Sequence, residues 1–234
     1  MKIAVISAMQ EELNRIVNRI NITTETRIGN RTFYEGEFNG HQIVSVFSHW
    51  GKVAASMTTT ILLTVFKVDK IIFTGVAGSI SPDLNIGDIV IGKNLYQHDM
   101  DSSPILPRYE IPILKNSYIE TPKEEIQRAF DAAKKIIDTD FPTQKVIIGD
   151  IASGDEFVSE AATRNRINTD LPSVVCVEME GAAVAQVCHD FGIPFVIIRT
   201  ISDSANDNSH IDFPAFIKNI ASVYSEKIME RYLS

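Results

Sequence analysis

Two carboxylates stand one residue apart where an apolar stretch of the chain ends. Glu178 and Glu180 follow hydrophobic residues 174–177 and precede a run of small residues that favours a helix. Alternation along a strand predicts that both carboxylates lie on one face, with Met179 on the other. Because burying an unpaired carboxylate is costly, this acidic pair at the mouth of a buried sheet indicates a site for a polar ligand.

A second acidic turn follows the apolar residues 194–198. It contains Arg199, Ser202 and Asp203, again at the end of a predicted core strand. Open α/β sheets bind ligands at the carboxyl ends of their strands. The two turns therefore predict one shared binding site at that edge of the sheet.

Three further segments carry residues with chemical potential, although none is specific alone. Glu11 and Glu12 open a predicted helix, where acids either complement the helix dipole or serve a site. Residues 74–79 form a glycine-bearing junction that suits close backbone approach to a ligand, but match no phosphate-binding loop. Residues 153–158 form a turn that brings Phe157 beside the sheet edge.

Metal and serine-hydrolase chemistry are disfavoured. His98, Asp99 and Asp101 could be read as metal ligands, but their spacing matches no common cage and the other histidines are scattered. No GxSxG nucleophile motif is present. We therefore expect no metal and no cofactor.

The composition is that of a globular protein, with 44% hydrophobic and 22% charged residues. A formal charge of −8 argues against a nucleic-acid surface, which needs a basic patch. Cys176 and Cys188 both lie in apolar segments and fit neither a disulfide framework nor a zinc ribbon. With no visible leader peptide and no membrane-spanning run, we expect a cytoplasmic protein that binds no membrane.

Strand and helix patterns alternate along the chain without a linker, which predicts one α/β domain over residues 1–234. Asn39-Gly40 between two alternating segments predicts a hairpin. The predicted core strands are residues 2–7, 70–76, 88–96, 146–153, 174–179 and 194–201. Helices are predicted at residues 11–20, 52–66, 122–137, 160–168, 181–190 and 213–233, with a long loop at 101–116.

The order of the motifs resembles a known family. The motifs are Ala8-Met-x-Glu-Glu, Gly51-Lys-Val-Ala-Ala, Thr74-Gly-Val-Ala-Gly, Gly87-Asp-Ile-Val, His98-Asp-x-Asp, Ser153-Gly-Asp-x-Phe, Val177-Glu-Met-Glu and Arg199-x-Ile-Ser-Asp. Together they resemble the 5′-methylthioadenosine/S-adenosylhomocysteine nucleosidases of the purine nucleoside phosphorylase/uridine phosphorylase superfamily. The resemblance covers essentially the whole chain and implies a three-layer α/β/α sandwich with a central twisted mixed β-sheet.

The resemblance implies hydrolysis of the N-glycosidic bond of 5′-methylthioadenosine and S-adenosylhomocysteine, and of 5′-deoxyadenosine, with release of adenine. Asp203 matches the acid that protonates adenine N7, and Ser202 positions it. Glu12 matches the carboxylate that activates water, with Arg199 as a supporting group. These four residues are the expected catalytic set.

The same resemblance implies the substrate contacts. Glu180 matches the residue that holds the ribose hydroxyls, and Glu178 is expected on the same polar rim. Phe157 is expected to stack on adenine while the backbone of Val158 reads its amino edge. The remaining expected contacts are Ala8, Met9, Trp50, Val76, Gly78, Met179 and Phe213.

Two departures from the family pattern affect the expected pocket. Val76 stands where some members have a serine near the water, and Trp50 stands where smaller residues are commoner. Trp50 is expected to narrow the 5′ pocket in favour of methylthio substrates. The family also pairs subunits, so we expect a homodimer in which loop 102–112, through Ile105 and Pro107, reaches the partner's site.

Three alternatives remain open at this stage. A phosphorylase of the same superfamily would use phosphate, but the carboxylates at Glu11 and Glu12 would repel it. A relative acting on 6-amino-6-deoxyfutalosine would keep the same chemistry on another nucleoside. A non-catalytic nucleoside-binding protein has little need of an acid at Asp203.

Overall fold

The computed structural model describes residues 1–205, 216 and 220–234. None of the helices in that part of the chain is long and apolar enough to span a bilayer. The strands are β1 (Lys2–Ser7), β2 (Asn21–Ile28), β3 (Arg31–Phe38), β4 (His41–Phe47), β5 (Lys70–Ser79), β6 (Ile89–Gln97), β7 (Tyr118–Glu120), β8 (Val146–Ser153), β9 (Val174–Glu178) and β10 (Phe195–Asp203). The helices are α1 (Gln10–Val17), α2 (Lys52–Thr64), α3 (Lys123–Asp140), α4 (Ala161–Asp170), α5 (Gly181–Phe191) and α6 (Ser222–Tyr232).

The strands form one mixed sheet in the order β10-β6-β8-β9-β5-β1-β4-β3-β2, with β7 paired to β6. Strand β1 is parallel to β4 and β5, and β5 is parallel to β10. Strand β10 also pairs with β6. Five strands, β5, β10, β6, β8 and β9, therefore close into a ring, a feature that element order along the sequence does not predict.

Helices cover both faces of the sheet, which confirms the predicted three-layer arrangement. Side chains of β1 alternate: Ala4 and Ile6 join a core that includes α2 and α5. Ile3 and Val5 join a second core with α1, α3 and α6. Alternation along a strand sends successive side chains to opposite faces, so a continuous apolar strand supplies both layers.

The predicted hairpin is confirmed and one neighbouring strand was not foreseen. Asn39 and Gly40 both have positive φ, at 49° and 78°, as a tight turn between β3 and β4 requires. Strand β2, with sequence NITTETRI, pairs antiparallel with β3 at the end of the sheet. Its residues are mostly polar because an edge strand need not contribute much to the core, so the hydrophobic pattern gives little signal.

Several strands end at the same edge of the sheet and bring the predicted site together. In the parallel pairings Ser7 of β1 aligns with Thr74 of β5, and Arg199 of β10 aligns with Gly75. Ser153 at the end of β8 aligns with Glu178 at the end of β9. Residues far apart in sequence thus converge where the strands give way to loops and helices.

Candidate active site

A cavity of about 300 Å³ lies at this edge. Its wall is largely apolar and carries a few acidic side chains, an arrangement typical of small-molecule sites. The lining residues are Ala8, Met9, Trp50, Val76, Ala77, Gly78, Glu156, Phe157, Val158, Val177, Glu178, Met179, Glu180, Ser202 and Asp203.

Most residues expected from the sequence line this cavity, and the others have distinct positions. Glu12 and Arg199 are fully buried and do not reach its surface. Ile105 and Pro107 are exposed on the loop after β6 and do not line the cavity. Phe213 lies outside the described residues.

Met179 lines the cavity beside both carboxylates, so the expectation that it faces the opposite way is wrong. Strand β9 ends at Glu178, and Glu180 is already the N-cap residue of α5, with φ −138° and ψ −33°. Strand alternation holds only within a strand. Past Glu178 the chain turns, and the consecutive residues 177–180 all line the cavity.

Both oxygens of the Glu178 carboxylate accept hydrogen bonds from within the protein. Arg199 donates to Oε2 from Nη2 at 2.6 Å and from Nε at 3.1 Å. The backbone N–H groups of Glu180 and Gly181 also donate to it, at 2.8–3.1 Å, which anchors the N-terminus of α5. Ser153 donates to Oε1. Glu178 therefore holds the wall of the cavity together, which is a narrower role than the ligand-facing rim expected from the sequence.

The guanidinium of Arg199, the ion-pair partner of Glu178, is also surrounded closely by protein atoms. Its guanidinium carbon lies 4.1 Å from the ring centroid of Phe73, and Nη1 donates to the carbonyl of Ile198 at 3.1 Å. A Cβ at Gly75 would come within 3.0 Å of Nη1, so glycine makes room for the guanidinium. The charge of Arg199 acts to lower the pKa of Glu12, although the ion-pair partner of Arg199 is Glu178.

Glu12 is a buried carboxyl with one oxygen unoccupied. Ser225 of α6 donates to Oε1 at 2.6 Å, and Oε2 has no hydrogen-bond partner among the described residues. Burial raises its pKa to about 7, although Ser225, Arg199 and the nearby backbone of Met9 and Ala8 act to lower it. A carboxyl with this pKa and a free oxygen is suited to take a proton from water near neutral pH. Glu11, by contrast, is exposed.

Glu180 is held at one oxygen by the loop before α2. The N–H of Gly51 donates to Oε1 at 2.8 Å. Burial, followed by the charge of Glu178, raises the pKa of Glu180. Gly51 has a φ of 89°, and a Cβ there would lie 2.8 Å from Oδ1 of Asp155. Asp155 also accepts the N–H of Lys52 at 2.7 Å, so it fixes the loop that presents Gly51.

Asp203 is held from two sides at the end of β10. The Ser202 hydroxyl donates to Oδ2 at 2.7 Å, and the N–H of Ala205 donates to Oδ1 at 2.8 Å. A Cβ at Gly78 would lie 2.9 Å from Oδ1, so glycine on β5 permits the approach of Asp203. The carboxyl is thus oriented in the cavity wall by its own strand and its neighbour.

The remaining lining residues separate into an apolar floor and an exposed mouth. Val76 packs with Met9, Phe216 and Ala221 in a small core. Trp50 and Phe157 line the cavity while remaining 63% and 45% exposed. These two aromatic side chains stand where a ligand would enter.

The sequence segment considered for metal binding forms a different structure. Asp99 pairs with Lys52 at 2.6 Å and accepts the N–H of Asp155 at 2.9 Å. The ring of His98 is buried against Gly154, and burial lowers its pKa. Across residues 1–205, 216 and 220–234, no three His, Cys, Asp or Glu side chains are placed to hold a metal ion.

Sequence reasoning missed several contributors. Ala77, Glu156 and Val177 line the cavity and lie inside the recognised motifs, so counting every motif residue as a candidate would have found them. Ser153 belongs to one of the motifs, but the sequence does not indicate its hydrogen bond to Glu178. Ser225 had no signal, since a serine on one helix does not reveal a partner 213 residues away.

Comparison with known proteins agrees with this geometry. The profile of the phosphorylase superfamily matches residues 2–234. The chain is 40% identical over 229 residues to the 5′-methylthioadenosine/S-adenosylhomocysteine nucleosidase of Anoxybacillus flavithermus, covering 97% of this chain and 96% of that protein. The chain belongs to the 5′-methylthioadenosine/S-adenosylhomocysteine nucleosidase family.

Solved structures of relatives extend the likeness to the fold. The 5′-methylthioadenosine/S-adenosylhomocysteine nucleosidase of Neisseria meningitidis in complex with methylthio-immucillin-A has a TM-score of 0.92 and 34% identity, covering 99% of this chain and 98% of that chain. Futalosine hydrolase of Helicobacter pylori has a TM-score of 0.90 and 33% identity, covering 100% of this chain and 97% of that chain. Family membership therefore holds over the whole fold.

Proposed function

We propose that the protein hydrolyses the N-glycosidic bond of 5′-methylthioadenosine and S-adenosylhomocysteine, releasing adenine and the 5-substituted ribose. The observation that carries the proposal is Glu12, a fully buried carboxyl with one oxygen that no described residue contacts by a hydrogen bond, next to Ala8 and Met9 of a cavity lined by Asp203. A base for water and an acid for the leaving group are the two groups that such a hydrolysis needs.

Asp203 acts on the leaving group. Adenine leaves poorly as an anion, so Asp203 gives its proton to N7 as the bond between C1′ and N9 breaks. The single Ser202 proton has two acceptors within reach, Oδ2 of Asp203 at 2.7 Å and the carbonyl of Ala77 at 3.3 Å. Ser202 can therefore accept from protonated Asp203 and donate to its carboxylate after transfer, which orients the acid in both states.

Glu12 acts on the nucleophile. Water attacks C1′ as adenine departs, and Glu12 takes the proton that the water loses. Glu180 accepts hydrogen bonds from the ribose hydroxyls, a role supported by its place in the cavity wall and by its Gly51 contact. The carboxylates of Glu12 and Glu180 also stabilise the positive charge that develops on the sugar.

The cavity chemistry disfavours two of the three alternatives left open by the sequence, the phosphorylase and the non-catalytic binder. None of the described residues lining the cavity is lysine or arginine, and the nearby Arg199 is paired with Glu178. A phosphate nucleophile would meet carboxylates without a free cation to offset them. A non-catalytic binder would gain nothing from burying Glu12 with a free oxygen, because burial of an unsatisfied carboxyl is costly.

The test is adenine release from 5′-methylthioadenosine by purified protein, measured with and without phosphate. Release under both conditions, with methylthioribose as the other product, is the expected result. Release only with phosphate would establish a phosphorylase and remove the role given to Glu12. No release in either condition would favour another nucleoside or a silent binder.

Adjacent residues supply a matched control for the base. Glu12→Gln removes the buried carboxylate, whereas Glu11→Gln makes the same change at an exposed position. We expect at least a 100-fold lower kcat for Glu12→Gln, the scale of general-base catalysis, and little change for Glu11→Gln. Equal losses in both variants would contradict the assignment.

A second candidate substrate is 6-amino-6-deoxyfutalosine. The likeness to the Helicobacter pylori futalosine hydrolase favours it, at a TM-score of 0.90 over the whole chain. The chemistry at N7 and C1′ would be the same, and the difference would lie at the 5′ end of the cavity near Trp50. Adenine release from both nucleosides in parallel, compared as kcat/KM, decides between them.

We also propose that the protein is a homodimer whose loop 102–112 reaches the partner's site. Large apolar side chains are exposed at the cavity mouth, on α2, on this loop and just after it: Trp50 is 63% exposed, Val53 70%, Met57 52%, Ile105 86% and Ile113 73%. Exposed apolar side chains in such number are typical of an interaction surface. In the proposed dimer a second copy covers these side chains, and Ile105 and Pro107 are the contacts proposed to reach the partner's 5′ pocket.

Sedimentation of the wild type and of Val53→Asp tests the dimer. The variant is expected to sediment as a monomer with raised KM. Val65→Asp, at the other end of α2 and 58% exposed, is the control and is expected to remain dimeric. A monomeric wild type would remove this part of the proposal.

The proposal places the protein in the cytoplasm, in methionine salvage. Two free, buried thiols at Cys176 and Cys188 are compatible with a reducing compartment. Substrates derived from S-adenosylmethionine would be available there. Fractionation of cells together with the accumulation of methylthioadenosine in a deletion strain tests both points.

A further inference from the structure

The described part of α6 contributes a hydroxyl to the site through Glu12. Ser225 is 2% exposed, and its Oγ donates to Oε1 of Glu12 at 2.6 Å. The carboxyl is fully buried, and in the part of the chain that the structure describes its other oxygen has no hydrogen-bond partner. The contact therefore occupies one oxygen and leaves the other as the remaining acceptor.

The packing of α6 on α1 fixes this contact. Glu226 of α6 pairs with Arg15 of α1 and with Arg19, which follows the end of α1, each at 3.3 Å, and Arg19 also pairs with Glu230. Because the contacts advance together along the chain in both segments, the two segments run parallel in a set register. The ion pairs lie on the outer side of this interface, and Ser225 meets Glu12 on its buried side.

The far end of α6 is anchored independently. Tyr232 donates to Glu125 of α3, which also pairs with Lys70 of β5. Arg128 donates from Nε to the carbonyl of Tyr232 at 3.0 Å. Because α6 is held at both ends, Ser225 cannot follow Glu12 if the carboxyl rotates, and the hydrogen bond fixes the carboxyl orientation.

We infer that Ser225 is a positioning residue for the hydrolytic reaction, holding Oε1 of Glu12 so that Oε2 faces the attacking water. The inference rests on the proposed function. Ser225 does not line the cavity and acts only through Glu12. No residue of the recognised motifs supplies this contact.

The contact also sets the proton affinity of the base. From β10, Arg199 is the charged group whose field acts on Glu12, and Ser225 is the polar contact from α6. Glu226, next to Ser225, is paired with Arg15 and Arg19 at the surface. The hydrogen bond from Ser225 lowers the pKa of Glu12 against the effect of burial, so its loss should make the carboxyl hold its proton to higher pH.

The test compares Ser225→Ala, Ser225→Thr and the wild type in kcat/KM against pH. Ser225→Ala is expected to move the acidic limb upward by about one pH unit, the scale of one hydrogen bond to a carboxylate. This shift corresponds to about a tenfold loss at pH 6 that closes near pH 9. Ser225→Thr keeps a hydroxyl and should restore the wild-type limb. Ser45→Ala, which removes a buried hydroxyl bonded to the carbonyl of Val5 at 3.2 Å, controls for lost stability.

Three outcomes separate the inference from the function on which it rests. An upward shift in Ser225→Ala alone, reversed by threonine, supports the positioning role. A uniform loss at every pH, or a loss shared with Ser45→Ala, would overturn it as merely structural. A wild type that releases no adenine would instead remove the proposed function, and carbon-13 NMR titration of Glu12, assigned with Glu12→Gln, would then show whether Ser225 still sets its proton affinity.

Discussion

Arg199 and Glu178 form an ion pair in which Nη2 and Oε2 are 2.6 Å apart and neither side chain is more than 2% exposed. Every charged group in such a pair has lost its water, so each depends on the other and on the surrounding hydrogen bonds. Here the pair links the end of β9, the N-terminus of α5 and the strand that carries Asp203. The ion pair therefore supports the site, and one member of it, Arg199, also belongs to the expected catalytic set.

Removing one charge from this pair should be strongly destabilising. Glu178→Gln leaves the guanidinium of Arg199 buried without a counter-charge, and we expect a loss of about 3–5 kcal/mol in the free energy of unfolding. Urea denaturation measures it. Asp138→Asn breaks the exposed pair with Lys134 and is the matched control, with an expected loss below about 0.5 kcal/mol. A loss at Glu178 no larger than this control would contradict the structural role.

The buried carboxyl of Glu12 should make stability depend on pH. Its pKa rises from 4.5 in the unfolded chain to about 7 in the fold, so the folded state binds more protons between these values. Stability from this group is present below pH 4.5 and is lost as pH rises through 7. Between pH 5 and pH 8 the wild type should therefore lose about 2.5 kcal/mol of stability that Glu12→Gln does not lose. Parallel stability curves for the two proteins would show that Glu12 does not titrate as described.

Asp203→Asn should separate binding from turnover. The amide keeps the size of the side chain and can still contact adenine, but it has no proton to give to N7. We expect kcat to fall by about 100- to 10,000-fold while an adenosine analogue binds within a few-fold of the wild-type affinity. Stopped assays and calorimetric titration measure the two quantities. Near-wild-type turnover would remove Asp203 as the acid.

Gly51→Ala should raise KM by moving the N–H that holds Glu180. Alanine is strained at the φ of 89°, and its Cβ would lie 2.8 Å from Oδ1 of Asp155. Gly40→Ala has a similar φ of 78° but no atom within 4 Å, so it isolates backbone strain from the contact. Both variants should lose about 1 kcal/mol or more of stability, and only Gly51→Ala should weaken substrate binding. Equal KM values in the two variants would show that Gly51 does not contribute to substrate binding.

Trp50 should determine which 5′ substituent of the nucleoside the protein prefers. Its indole lines the cavity mouth and is 63% exposed, so it can narrow the entrance without supporting the core. Trp50→Ile should raise kcat/KM for S-adenosylhomocysteine relative to methylthioadenosine by about tenfold, the scale of one reshaped apolar contact. Trp50→Phe keeps an aromatic ring and should change the ratio less. An unchanged ratio in Trp50→Ile would show that this residue does not gate the pocket.

Local chemistry was sufficient to predict much of the fold, whereas most of the cavity residues were expected from the family resemblance. Apolar strands alternating with helices predicted the layered α/β arrangement, and Asn39-Gly40 predicted its hairpin, because periodicity and turn geometry are properties of short segments. Strand ends bearing Glu180 and Asp203 predicted where polar side chains converge. Edge strand β2 was missed because its polar residues carry little hydrophobic pattern.

Tertiary structure alone decided how the charges are used. The sequence offers Glu178 and Glu180 as equivalent acids, yet packing gives the first to Arg199 and leaves the second in the cavity wall with Gly51. Ser225 reaches Glu12 across 213 residues, and the pKa of that carboxyl follows from its burial. Motifs fix which residue types are present, whereas proton affinity and orientation depend on neighbours brought together only by the folded sheet and its covering helices.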